Sequence, residues 1–119
     1  MEWNLDKNKP ICPQICEKFC VLIASGEIKP GEKLVSVREV ALDAGVNPNT
    51  VQKSFEELER KQIINSVRSV GWYVSDDISQ ALIQVESLKK AKVAEFITSM
   101  EALGTNAEQA IEYIRREIK

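Results

Sequence analysis

The sequence predicts a mainly helical chain carrying one small β-hairpin. Three observations predict it. Apolar residues recur at helical spacing in five stretches of this 119-residue chain. Caps and turn formers, among them Ser25-Gly26, Pro30-Gly31, Gly45 and Gly104, separate those stretches. Two β-rich runs, Ile63–Val67 and Trp72–Ser75, flank Arg68-Ser69-Val70-Gly71, which reads as a hairpin.

The first helix is expected to begin near Pro13, because proline at the first helical position gives up no useful N–H. Ile15, Phe19, Leu22 and Ile23 then share one face, and Ser25-Gly26 ends the helix. Lys29-Pro30-Gly31-Glu32 reads as a turn. Ser36 and Glu39 form a capping box, in which the hydroxyl takes one orphan N–H and the carboxylate reaches back to another. The short second helix turns Val37, Val40, Ala41 and Ala44 inward, and Gly45 stands where a left-handed cap is wanted. Asn47 is then an N-cap and Pro48 a first helical residue, opening a third helix to about Lys61 that buries Val51, Phe55 and Leu58. The hairpin follows. After Asp76-Asp77, a fourth helix aligns Ile78, Leu82, Val85, Val93, Phe96, Met100 and Leu103, with Lys89 and Lys92 interrupting the face. Gly104 stops it. Thr105-Asn106-Ala107-Glu108 reads as a second capping box before a last helix marked by Ala107, Ile111, Ile114 and Ile118. The first four elements make a winged helix-turn-helix over residues 1–75, and residues 76–119 a two-helix tail.

Composition narrows the function. Apolar residues make up 44% and charged residues 29%, a normal globular balance. The net charge of −2 excludes a strongly basic nucleic-acid coat but not a local basic face. Residues 1–75 carry ten basic and ten acidic side chains, and residues 76–119 carry six and eight, so the net charge lies in the tail. Histidine is absent, which removes the commonest general base and metal ligand. No catalytic carboxylate pair can be nominated; Glu56, Glu57 and Glu59 read as a solvated face. No enzyme activity and no cofactor are expected. The polar residues 1–10 do not read as a signal peptide, no membrane-spanning stretch is seen, and three cysteines suit a reducing compartment. The expectation is a cytoplasmic protein with no membrane partner.

A helix-turn-helix reads DNA by presenting the start of its second helix to base edges in the major groove. Here that start holds Asn47, Asn49, Thr50, Gln52 and Lys53. Asn and Gln can pair with adenine, and Thr can bond a phosphate or pack on a thymine methyl. Arg38 lies outside the buried face of the preceding helix, where it can grip a phosphate or reach a guanine; the plain alternative is an i,i+4 surface partner. Arg68, Ser69 and Gly71 form the hairpin tip, where arginine suits a minor groove and glycine permits close backbone approach. Each signal alone has a bland reading as a cap, a surface charge or a turn.

Their joint order carries more. Pro10-Ile11…Gln14-Ile15…Ile23…Ser25-Gly26-Glu27-Ile28…Pro30-Gly31…Lys33-Leu34…Ser36-Val37-Arg38…Val40-Ala41…Gly45-Val46-Asn47-Pro48-Asn49-Thr50-Val51…Lys53…Phe55…Leu58-Glu59, with Gly71-Trp72-Tyr73-Val74, closely resembles, over about residues 10–75, the DNA-binding domain of the GntR family of bacterial transcriptional regulators. The short tail is similar to that of the YtrA subfamily. The resemblance implies DNA contacts at Arg38, from Asn47 to Lys53 and from Arg68 to Gly71, and dimerisation through the tail. Three positions depart from the family pattern. Val35 replaces a usual proline, Ser69-Val70 a frequent Gly-Lys pair, and Pro48 or Gln52 an arginine of many relatives. The wing is thus less basic, and base readout shifts toward asparagine and glutamine.

The expectation is a homodimeric regulator, a repressor by preference, bound to an inverted-repeat operator in double-stranded DNA. Ile78, Leu82, Val85, Phe96, Met100, Ile111 and Ile114 are expected in the dimer interface, and the reading leaves room for a small-molecule effector of unknown identity. One alternative is a winged helix serving as a protein-docking module. Another is a metal- or redox-responsive regulator using Cys12, Cys16 and Cys20. For those cysteines packing beside the Ile15/Phe19 stripe is preferred, with Cys12 preceding the helix and no metal site.

Overall fold

The computed structural model describes residues 1–118. Seven elements follow in order: α1 Ile11–Ala24, α2 Val37–Ala44, α3 Pro48–Arg60, β1 Ile64–Val67, β2 Gly71–Val74, α4 Ser79–Ala102 and α5 Ala107–Glu117. They form two compact units, Met1–Val85 and Glu86–Lys119.

The first unit is the winged helix-turn-helix. Its core joins Ile15, Phe19 and Ile23 of α1 to Val40 and Ala41 of α2, to Val51, Phe55 and Leu58 of α3, and to Ile63, Ile64 and Val74 at the hairpin. Four aromatic rings pack edge to face through it. Trp3 meets Phe19 at 6.0 Å, Phe19 meets Phe55 at 5.3 Å, and Phe55 meets Trp72 at 5.5 Å. This ladder ties the N-terminal arm, α1, α3 and the wing together.

The wing has a third member. β1 and β2 pair antiparallel from Ile64↔Val74 to Val67↔Gly71. Residues 31–34 lie along the other edge of β2 through an antiparallel Lys33–Tyr73 bridge, with Leu34 N–H donating to the Trp72 carbonyl at 2.8 Å and Val74 N–H to the Glu32 carbonyl at 2.9 Å.

Several expectations need correction. Helix α1 begins at Ile11, with Pro10 as its N-cap, so Pro13 lies inside the first turn and Cys12 lies on the helix. A proline is tolerated there because the first four N–H groups of a helix have no internal partner in any case. Of the expected Ser36–Glu39 box, the structure contains the half in which Glu39 N–H donates to Ser36 Oγ at 3.1 Å. The second box is shifted by one residue: Asn106 and Gln109 cap each other at 2.9 and 3.0 Å. Thr105 is taken by the end of α4, where its N–H reaches the Met100 carbonyl at 2.9 Å and Gly104, at φ 86°, reaches Glu101 at 3.0 Å. That is a Schellman closure, and it leaves Asn106 as the first residue free to cap α5.

The boundary drawn after Ser75 falls inside the first compact unit, which runs to Val85. Ala81 is buried in the core, and Ile78 and Val85 pack against it. Both side chains remain half-buried, with one part of each engaged by the core of the first unit. In the second unit Ala110 is buried, while Val93, Leu103, Ile111, Ile114 and Ile118 are exposed. Among the described residues, no helix is long and apolar enough to cross a membrane.

Candidate nucleic-acid interface

The turn between α2 and α3 fixes the start of α3. Gly45 takes φ 70°, a left-handed conformation that glycine adopts without a side-chain clash. Val46 N–H closes on the Ala41 carbonyl at 3.0 Å. From the N-terminal arm, Lys7 Nζ donates to the Gly45 carbonyl at 3.2 Å, and Trp3 Nε1 donates to Asp43 Oδ2 at 2.9 Å. The arm therefore braces the turn from behind.

Helix α3 buries Val51, Ser54, Phe55 and Leu58. The Ser54 hydroxyl donates to the Thr50 carbonyl at 2.8 Å, and the Cys16 thiol donates to the Ser54 carbonyl at 3.4 Å, so this buried polar side chain is satisfied. Asn49, Lys53, Glu56 and Arg60 are exposed on the opposite face.

The sequence-predicted residues are not equally free. Asn47 Oδ1 accepts Asn49 N–H at 2.8 Å and so serves as the cap. Thr50 and Gln52 are half-buried, and Gln52 Nε2 donates to Glu56 Oε2 at 3.1 Å. That bond turns the Gln52 amide along the helix. Asn49 and Lys53 are the open polar groups of this turn. Arg38 is exposed at the start of α2 and joins no ion pair among the described residues, so its reading as half of a surface pair does not hold.

At the wing, Arg68 and Ser69 are exposed. Ser69 takes φ 66°, the left-handed conformation that a glycine would adopt freely. Gly71 is half-buried, at φ 144°. A Cβ placed there would lie 3.2 Å from Lys33 Cε. Room for Lys33 is therefore one structural reason for this glycine.

A cleft of about 610 Å³ is lined by Lys33, Ser36, Arg38 and Glu39, by Pro48, and by Val70, Gly71 and Trp72. The start of α2, the start of α3 and the wing thus share one concave face. Lys33 and Trp72 in its walls were missed in the sequence, where residues 29–32 read as a turn and no pairing partner for 33–34 was visible.

Charge is sorted across the first unit, whose residues 1–75 carry as many basic as acidic side chains. Glu57 holds Arg60 through two hydrogen bonds and lies 3.8 Å from Lys61. The Arg60 bond holds the Glu57 carboxyl below the usual range. Cations at the C-terminal end of α3 are thereby neutralised. Lys33, Arg38, Lys53 and Arg68, around the cleft, the start of α3 and the wing tip, are outside every ion pair among the described residues. Cys16 and Cys20 lie in the core, and burial pushes their thiols up to about 12 and about 11. That favours the neutral thiol over the thiolate that metals and oxidants require.

Residues 14–74 match the bacterial regulatory proteins, gntR family. The HTH-type transcriptional repressor YtrA of Bacillus subtilis is 36% identical over 107 residues, spanning 89% of this chain and 82% of that protein. A GntR family transcriptional regulator from Listeria monocytogenes has a similar structure, with TM-score 0.83 and 36% identity over 94% of this chain and 98% of that one. The DNA-binding domain of AraR, solved in complex with its operator ORX1, aligns with TM-score 0.55 and 25% identity over 63% of this chain and 92% of that one.

Proposed function

The chain belongs to the GntR family of bacterial regulatory proteins, as a YtrA-like DNA-binding transcriptional regulator and not an enzyme, and from that premise we propose that it is a homodimeric repressor of an inverted-repeat operator. The observation that carries the reading is the cleft shared by α2, α3 and the wing, with free cations around it. In this reading Asn49 and Lys53 meet the major groove first. Thr50 supports them, and Gln52 reads a base once its bond to Glu56 opens. Arg38 grips a phosphate or a guanine, Asn47 holds the helix start in register, and Arg68, Ser69 and Gly71 place the wing against the adjoining groove.

Two half-sites follow from charge. A neutral module with few free cations releases few counterions, so one copy holds DNA weakly. A symmetric pair on adjacent half-sites adds the second contact within the same complex. The second unit supports the pairing, because Ile111 and Ile114 are 43% and 44% exposed and Leu103 is 79% exposed. So much apolar surface on two helices favours a partner. Phe96 and Met100 of the same unit, and separately the exposed Leu82 of the first unit, are further members of the proposed interface. Residues 1–75 are in this reading the DNA-binding part, and the tail the pairing part.

Fluorescence anisotropy tests the reading, using the promoter upstream of the protein's own gene and a scrambled duplex at physiological salt. Two chains per duplex and a preference of at least about 10³ for the promoter repeat are expected. One chain per duplex, or equal affinity for the scrambled DNA, would refute it.

A further inference from the structure

We propose that Lys33 is an additional contact to the DNA sugar-phosphate backbone, supplying from beneath the wing the charge that the wing tip lacks. The proposal rests on the operator-binding reading and adds a residue to it. The tip itself carries one cation: Arg68 is followed by Ser69 and Val70, and Val70 is 50% exposed. Lys33 reaches the same place from another part of the chain. Its bridge to Tyr73 sets it on the outer edge of β2, and its Cε occupies the space over Gly71 that a side chain there would need. The aliphatic stem is laid along the wing and the ammonium is carried toward water. No carboxylate pairs with it among the described residues. Lys33 and Arg38 line the same cleft, so a duplex entering there meets both.

A lysine ammonium can meet a phosphate or a guanine edge, and one whose stem is laid along the wing favours the phosphate. The ammonium is a point charge on a flexible stem, suited to a phosphate oxygen. It therefore strengthens binding to all sequences alike.

The test is the salt dependence of binding for the full-length protein and for Lys33→Ala and Lys33→Arg, each titrated on the promoter duplex and on a random duplex. For Lys33→Ala the slope of log K against log salt should fall by about 0.9 for each Lys33 in the complex. Affinity should drop about tenfold per lysine near 0.1 M salt, equally on both duplexes. Lys33→Arg should restore the slope. A residue that only covers Gly71 would leave the slope unchanged. Parent slope in Lys33→Ala, or a loss confined to the promoter duplex, overturns the proposal. If the parent shows no preference for the promoter, the repressor reading falls, and the slope on random duplex still decides Lys33.

Discussion

Replacing Phe55 by leucine should loosen the hold of α3 on the wing. Phe55 is fully buried and makes edge-to-face contacts with Phe19 at 5.3 Å and 88° and with Trp72 at 5.5 Å and 77°. Each such pair contributes about 0.5–1.5 kcal/mol beyond the area it buries. Leucine forfeits both pairs and leaves part of the ring volume empty. Complete truncation of a buried phenylalanine costs about 3–5 kcal/mol, so the leucine variant should lose about 2–4 kcal/mol. For a unit of this size that corresponds to a fall in Tm on the order of 10–20 °C. Urea unfolding at fixed protein concentration, followed by tryptophan fluorescence, reads it directly, because Trp3 and Trp72 stand at the two ends of the ladder. A double-mutant cycle with Trp72→Leu, followed by far-ultraviolet circular dichroism, should give a coupling of about 0.5–1.5 kcal/mol. A loss below about 1 kcal/mol in the single variant, or additive losses in the cycle, would mean that the rings act only as filler.

Other outcomes follow from the same structure. Arg38→Ala should weaken promoter binding by about 1–3 kcal/mol if its contact is bidentate, and unchanged affinity in an anisotropy titration would remove Arg38 from the interface. A chain ended after Val85 should sediment as a folded monomer, whereas one ended after Ser75 should lose about 3 kcal/mol or more of stability with Ile78, Ala81 and Val85 gone; a full-length protein that stays monomeric at high micromolar concentration would defeat the pairing proposal. The Ser66 N–H and hydroxyl, both 2.7 Å from Glu59, hold its carboxyl below the usual range. Its stabilising effect is therefore complete above the ordinary glutamate range and lost as pH falls through the depressed value, so Glu59→Gln should flatten the acid limb of a Tm profile taken from pH 7 to about pH 3. With Cys16 and Cys20 buried at about 12 and about 11, a thiol reagent at pH 8 should label Cys12 of the native protein first, and equal rates at all three would contradict the packing.

Local chemistry made much of this fold legible. Gly45, Asn47 and Pro48 each do in the structure what their residue type predicts, because a cap or a left-handed turn involves only neighbours in the chain. Pro10 at the cap and Pro13 in the first turn left the start of α1 ambiguous, since either suits a helix beginning. The apolar stripe of α4 showed that the helix buries something but not against what, and Ile78 and Val85 went to the first unit. Of the candidate site, the exposed arginines and asparagines were readable. The Gln52–Glu56 bond was an i,i+4 signal in plain view that the base-reading expectation passed over. Lys33 was out of reach, because its place depends on pairing with Tyr73, forty residues along the chain.

The pairing of residues 31–34 with β2 covers one margin of the hairpin and leaves the outer margin of β1 unpaired with a strand. An open strand margin is a template on which another polypeptide can extend a sheet. Here the Ser66 N–H, which would otherwise face outward, is held by the Glu59 carboxylate of α3. A fixed negative charge at mid-strand both occupies the donor and repels an incoming backbone carbonyl. The same short contact that anchors the wing to α3 therefore withdraws one donor from the set that this margin of β1 would offer to another strand.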